Sequence, residues 1–363
     1  MKTLKIKKIF ALIYIVVIFL AGCSSIGPRS VPRDRFDYNT AIADSWKEQT
    51  LLNIVRLRYA DMPLFVEVAS VVGGYTLESS VNLGGTLSSE NAVQGDFLSL
   101  GGAGKYTDRP TITYAPITGD KFNKSFMTPI PPRIILFLIE SGWPPELIFP
   151  ITLDSINGLQ SHRASGYYKR KGDPNFYRAV SLFQKIQSSG YTSMRVIKNM
   201  KGKEDTLIVI RRDSIPTEIN ASIEELEKLL GVRPGSNKLK VTYGDIPETD
   251  QELALQSMSL MRIMIAMSQL IDVPSEHIAG GVTFPSIPPS NSEDTKMGQI
   301  INIHHASNKP EGDFVSVRYK DYWFYIEDSD FASKRTFSFL MVLFSITETG
   351  GNQGLPLVTI PSG

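Results

Sequence analysis

Residues 174–243, PNFYRAVSLFQKIQSSGYTSMRVIKNMKGKEDTLIVIRRDSIPTEINASIEELEKLLGVRPGSNKLKVTY, decide the fold class. Phe176, Val180, Phe183 and Ile186 recur at helical spacing and mark one face of a helix. Tyr191–Ile197 and Leu207–Ile210 read as strands around a turn at Lys201-Gly202. Ser222-Ile223-Glu224-Glu225 matches a capping box, opening a helix that runs to Leu230 and stops at Gly231 and Pro234. Leu239–Tyr243 is a further strand. The order αββαβ predicts a small α+β layer with two helices on one face of a sheet.

Downstream, Leu253–Leu270 reads as a Met-rich helix ending before Pro274, and Phe284–Ser292, with its prolines, as a loop able to act as a hinge. Val315–Ile326 supplies strands carrying Tyr319, Tyr322, Trp323, Phe324 and Tyr325. Asp328 or Ser329 is placed to cap a last helix through Phe337, Leu340, Met341 and Phe344. Upstream, Asp37–Tyr59 reads as a helix with Ile42, Trp46, Leu51, Ile54 and Val55 on its apolar face, closed by Pro63. Pro131 and Pro132 open a buried helix that Gly142 ends, and Phe149–Ile156 reads as a strand.

Between these lies the least ordinary segment. From Val71 to Leu87 the odd positions are Val, Gly, Tyr, Leu, Ser, Val, Leu, Gly and Leu, against mainly polar even positions. This period-two pattern runs for about three times the length of an average strand. After Ser88-Ser89-Glu90-Asn91 a second run, Val93–Tyr114, carries Leu98, Leu100, Tyr106, Ile112 and Tyr114 on one face, with Gly101, Gly102 and Gly104 between them. The two runs predict a long two-faced β-hairpin.

The chain starts with Lys2, Lys5, Lys7 and Lys8, then an unbroken apolar run of twelve residues, Ile9–Leu20. That run is shorter than the roughly 20 residues a bilayer core requires and matches a signal-peptide core. Leu20-Ala21-Gly22-Cys23 then resembles the lipobox of bacterial lipoproteins, whose cysteine is lipidated and becomes the first residue of the mature chain. The resemblance implies a signal peptide over 1–22, lipidation at Cys23 and anchorage through several acyl chains. Ser24 stands where the family's inner-membrane retention signal would usually place Asp, which implies the outer membrane, facing the periplasm. Residues 23–33, rich in Ser and Pro, read as a tether.

Removing the four lysines before Cys23 leaves 34 of the 38 basic residues against 37 acidic ones. Near-neutrality gives no support to a nucleic-acid partner. Cys23 is the single cysteine, so the mature chain has no disulfide, and its stability comes from its core.

The search for catalytic chemistry returns mostly negatives. Gly101-Gly102-Ala103-Gly104-Lys105-Tyr106-Thr107 fails as a phosphate loop, with Ser99 in place of the first Gly and Tyr106 where Ser or Thr must meet magnesium. His162, His277, His304 and His305 show no metal-ligand spacing, and neighbours in a strand point to opposite faces. Asp328-Ser329-Asp330 suits capping better than a cation site, and Ser165 with Lys169 is a weak nucleophile–base pair. Arg56-Leu57-Arg58-Tyr59 can bind an anion, or complement the dipole of its helix. Met258, Met261, Met264 and Met267 read as core filler rather than a copper face, and the aromatic run as sheet core rather than a sugar platform.

The resulting expectation is an α+β protein with a helix-and-hairpin lobe over 34–165 and an α+β lobe over 166–363. It has no catalytic, cofactor or metal residue, and Cys23 is its one modified position. Its expected role is a non-enzymatic scaffold or accessory subunit of an envelope assembly, with other envelope proteins or further copies of itself as partners. Two alternatives stand beside it: an oligomeric export-pore subunit that inserts hairpin 71–114 into the outer membrane, and an envelope hydrolase with a dispersed site.

Overall fold

A computed structural model describes residues 26–72, 74–86, 97–165, 168–198, 204–285 and 300–347. The segment expected as a signal peptide, Cys23, the Lys201-Gly202 turn and most of the Phe284–Ser292 loop lie outside these residues. The architecture is α+β. The described residues form two units, one of 26–45 with 67–115 and one of 46–66 with 116–347. Residues 116–165 group with the second unit, where they contribute to the main sheet.

Helix α1 is Ile26–Arg58. It starts earlier than its apolar face predicts and includes residues 26–33 of the expected tether. The first turn of a helix leaves its N–H groups unbonded, so Pro28 is accommodated there. In the first unit, β1 (Val66–Val72) pairs with a later strand, β4 (Thr111–Pro116). Between them β2 (Tyr75–Thr86) and β3 (Phe97–Asp108) form a separate antiparallel ribbon of twelve residue pairs. The predicted hairpin is thus present but split in two near Gly74, where an added Cβ would meet the Arg109 carbonyl oxygen at 3.1 Å.

The second unit holds the core. After a short helical turn, α2 (Gly119–Phe122), which runs on as a π-turn to Met127, come α3 (Pro132–Glu140) and α4 (Pro145–Thr152). The expected strand Phe149–Ile156 is shorter, because Phe149–Thr152 completes α4 and only β5 (Leu153–Ile156) is extended. Next are β6 (Leu159–Gln160), β7 (Arg163–Ser165) and β8 (Tyr168–Arg170). The αββαβ order follows as predicted: α5 (Pro174–Ser188), β9 (Thr192–Lys198), β10 (Glu204–Ile210), α6 (Thr217–Leu230) and β11 (Lys238–Tyr243). Helix α6 starts at Thr217, behind Pro216, and not at Ser222. The Ser222 hydroxyl lies inside the helix and donates to the Glu218 carbonyl at 2.9 Å.

The expected Met-rich helix 253–270 divides into a strand, β12 (Glu252–Ser257), and a shorter helix, α7 (Leu260–Ser268), capped by the Ser259 hydroxyl. The main sheet has the order β6-β5-β12-β11-β10-β9. Its one parallel pair is β11–β12. Behind α8 (Ser275–Ala279), strands β13 (His304–Ala306), β14 (Asp313–Tyr319) and β15 (Tyr322–Glu327) form a second sheet, followed by α9 (Phe331–Thr347). Asp330, rather than Asp328 or Ser329, caps α9. Its carboxylate accepts the Ser333 N–H at 3.0 Å, the Ser333 hydroxyl at 2.6 Å and the Asn302 amide at 2.8 Å. Burial pushes that carboxyl up, but the hydrogen bonds outweigh it and hold the group below the usual aspartate value.

Asn157 and Gly158 turn β5 into β6 with φ of 47° and 82°, the sign a tight two-residue hairpin requires. The Asn157 side chain donates to the carbonyls of Leu230 at 2.9 Å and Glu252 at 3.2 Å, and accepts the Ala254 N–H at 2.7 Å. One amide thus satisfies the end of α6 and two positions of β12. Asn157→Gly keeps the left-handed backbone and removes the amide, so it should cost about 2–3 kcal/mol in urea unfolding. A wild-type midpoint for that variant would show that the amide is not the tie.

Candidate functional site

Three groups of residues that are distant in sequence meet beside the second sheet. The last turn of α1 brings Arg58 and Tyr59, the approach to and first turns of α8 bring Asp272, Glu276 and His277, and strands β13 and β15 bring His305 and Tyr322. The Tyr59 hydroxyl lies 2.7 Å from His277 Nδ1. The His277 ring stands edge-on to both Tyr59 and Tyr322, at 5.5 and 5.3 Å between centroids. Tyr322 donates its hydroxyl to Glu276 at 2.8 Å, and His305 Nδ1 lies 3.0 Å from Asp272 Oδ2. Tyr319 and Phe324 pack against Tyr59 from the sheet, with the Lys320 ammonium over its ring.

Electrostatics follow from burial. Burial pushes the Tyr59 phenol up to about 12, and lowers the Arg58 guanidinium to about 10. Arg58 donates to the Phe284 carbonyl at 2.7 Å, and its guanidinium carbon lies 3.9 Å from the Phe284 ring centre. Its burial, at 1% exposure, places it against an aromatic ring and a carbonyl rather than toward an anion in solvent. The hydrogen bond to Glu276, reinforced by burial and by the carboxylate charge, raises Tyr322.

Tyr59–His277 has the geometry for proton transfer, with the tyrosine only 6% exposed and the histidine half-buried. The arrangement is a polar latch that closes α1 and α8 onto the sheet. The Asp272–His305 pair at its rim adds little, because Asp272 is 60% exposed.

A cavity of about 60 Å³ lies within the αββαβ layer, lined by Leu136, Ile139, Phe149, Phe183, Met194 and Ile208 among others. At its wall Glu227 is buried, and it is held by Arg212 at 2.5 Å and by the Gly235 N–H at 3.1 Å. These contacts offset the cost of burying the carboxylate. Glu140, Gln187, Thr192 and Ser193 add polar groups to a lining that is mainly apolar.

The remaining sequence candidates are dispersed. Met261, Met264 and Met267 lie buried on α7, with Met258 buried just ahead of it. The glycine-rich 101–107 stretch is part of β3. His304 packs on Tyr325, Trp323 lies under the Lys309 ammonium, and the His162 N–H donates to the Tyr177 hydroxyl. In the register of β7 and β8, Lys169 stands opposite Ala164 and not Ser165. Among the described residues no group of three His, Cys, Asp or Glu is placed to hold a metal ion.

Sequence reasoning singled out Arg58, Tyr59, His277, His305 and Tyr322 separately but did not bring them together, and it passed over Asp272 and Glu276. The adjacent Glu276-His277 behind Pro274 was the available signal. Comparison with known proteins finds no matching family model, no matching curated protein and no matching solved structure.

Tyr59→Phe removes the bond to His277 and should cost about 1 kcal/mol near pH 8. The folded phenol titrates near 12 and an unfolded one near 10, so its stabilising share is full below pH 10 and lost as pH rises through 12. Two pKa units correspond to about 2.7 kcal/mol, so the urea midpoints of wild type and variant should converge and then cross in that window, and a constant gap would refute the assignment.

Proposed function

We propose that this chain is an outer-membrane lipoprotein, anchored through Cys23 and facing the periplasm, that serves as a non-enzymatic scaffold or accessory subunit of an envelope assembly. The lipobox-like Leu20-Ala21-Gly22-Cys23 supports the address. The β2–β3 ribbon supports the role. Its strands pair only with each other among the described residues, over twelve positions. A lone two-stranded ribbon is at best marginally stable in water, so one of this length is suited to completion by another chain.

Its glycines point the same way. Gly101, Gly102 and Gly104 have no positive φ, and a Cβ at any of them would meet nothing within 4 Å. Neither backbone conformation nor crowding inside the monomer asks for glycine there, although each costs strand stability. Close approach of a partner backbone accounts for them.

A second reading keeps the ribbon and changes its surroundings. Strands crossing an outer membrane need about 9–11 tilted residues with one apolar face, and a ring of copies to pair every edge. Each strand of the ribbon has twelve residues, and the register sets Leu77 opposite Tyr106 and Leu83 opposite Leu100. Among the described residues no helix is long and apolar enough to cross a membrane, which leaves a barrel of ribbons unaddressed.

Cys23→Ser should release the protein from outer-membrane fractions, and an unacylated wild-type N-terminus would remove the anchor reading. Replacing Gly101, Gly102 and Gly104 together by Thr should leave the melting temperature of the second unit unchanged while abolishing large complexes on sizing in detergent. Complexes of undiminished size would dismiss the ribbon as an assembly surface. Leu83→Arg separates the two readings: deep in lipid it should cost about 2–4 kcal/mol per copy and abolish membrane conductance, whereas a solvated ribbon tolerates it.

A further inference from the structure

We propose that the β7–β8 hairpin, with Arg262 of α7 beside it, is a binding site for a phosphate group, gripped between Arg163 and Arg170. Between Ser161 and Asp173 the chain carries His162, Arg163, Lys169, Arg170 and Lys171 and no acidic residue, in a protein whose formal net charge is only +1. The hairpin register sets Arg163 directly opposite Arg170. Like charges in that position repel, and side chains so paired start only about 5 Å apart, close enough to converge on one ligand.

The carboxylate that meets the arginines is already shared. Asp154, its side chain 7% exposed, is shared between two guanidiniums, with Arg170 Nη2 at 2.9 Å and Arg262 Nη2 at 2.7 Å from the same oxygen. Arg170 also donates to the Ser161 carbonyl at 3.2 Å. Asp173 is committed to capping α5 through the Asn175 N–H, and Asp245 to the Ser155 hydroxyl. Arg163 has no ion pair among the described residues. Arg170 Nε is buried and makes no hydrogen bond there, and Arg262 Nη2 meets Asp154 as an ion pair outside hydrogen-bonding angles.

One carboxylate thus pairs with two of the three guanidiniums, with buried N–H groups left over. Guanidinium forks take the oxygens of a phosphate in pairs, so one tetrahedral phosphate meets both the charge and the unspent donors. Asp154 positions Arg170 and Arg262 for it. The ligand is either a phospholipid headgroup or a free phosphate, and the site goes beyond the anchor reading because it stands whether or not Cys23 is acylated.

Calorimetric titration of the full chain in dodecyl maltoside, at low salt, tests this with three probes: glycerophosphoglycerol, inorganic phosphate and the zwitterionic glycerophosphocholine. Binding of glycerophosphoglycerol over the other two assigns a lipid headgroup, and binding of inorganic phosphate assigns the free ion. In either case Arg163→Gln should weaken binding about tenfold with an unchanged melting temperature. Arg262→Gln removes one of the two cations that hold the buried Asp154 and risks the fold, so Arg163→Gln carries the decision. Absence of binding by both anionic probes at millimolar concentration, equal binding of all three, or wild-type affinity in Arg163→Gln overturns the site.

Discussion

The Asn157 side chain is the constraint around which the second unit is organised. Strand β12 lies between an antiparallel neighbour, β5, and a parallel one, β11. A parallel connection is usually long, yet here only residues 244–251 separate the two strands. The start of β12 therefore needs partners other than a long ladder. Asn157 supplies them by accepting from Ala254 and donating to Glu252, while its second donor bond closes the last carbonyl of α6. An amide side chain can do this because it carries both donors and an acceptor, and because asparagine tolerates the left-handed backbone of the turn.

Burial of β12 also explains what was and was not legible in the sequence. Leu253, Ala254 and Leu255 are all inaccessible, so the strand has no polar face and no alternation to display. An apolar run buried on both sides cannot be told from a helix by periodicity, and β12 consequently merged with α7 into one apparent helix. The same holds for β5, buried throughout and joined without a break to α4. An element with one wet face read correctly, α5, with Phe176, Val180 and Ile186 buried, and the alternation of β2 and β3 was enough to give the ribbon. The starts of α6 and α9 were misplaced because Ser222 and Asp328 are plausible capping types, and only the backbone reveals which residue actually caps.

The latch residues were visible as types and invisible as a group. Tyr59 and His277 are separated by 218 positions, and neither has a local pattern that anticipates the other. Arg58 was read as an anion-binding group or as a complement to the dipole of its helix, the usual use of a basic residue in a last turn. Instead it is covered by Phe284, a residue that in sequence belongs to a loop. Convergence of this kind comes from topology, since β15 returns beside α8 only after the intervening strands are placed.

Stability and interaction divide between the two units. The hydrophobic core, from Leu51 to Phe344, belongs to the second unit, which has the buried polar ties of a self-sufficient fold. The first unit has a long ribbon whose described polar-face positions, Thr76, Glu78, Ser80 and Asn82, are exposed. Glycine in the middle of β3 weakens it further, and among the described residues no further strand pairs with it. A sequence that keeps such a ribbon while building a well-satisfied core beside it has relieved the ribbon of any part in folding the core. On the proposed reading, the pairing that the ribbon lacks among the described residues is supplied by another surface, and that pairing contributes to assembly.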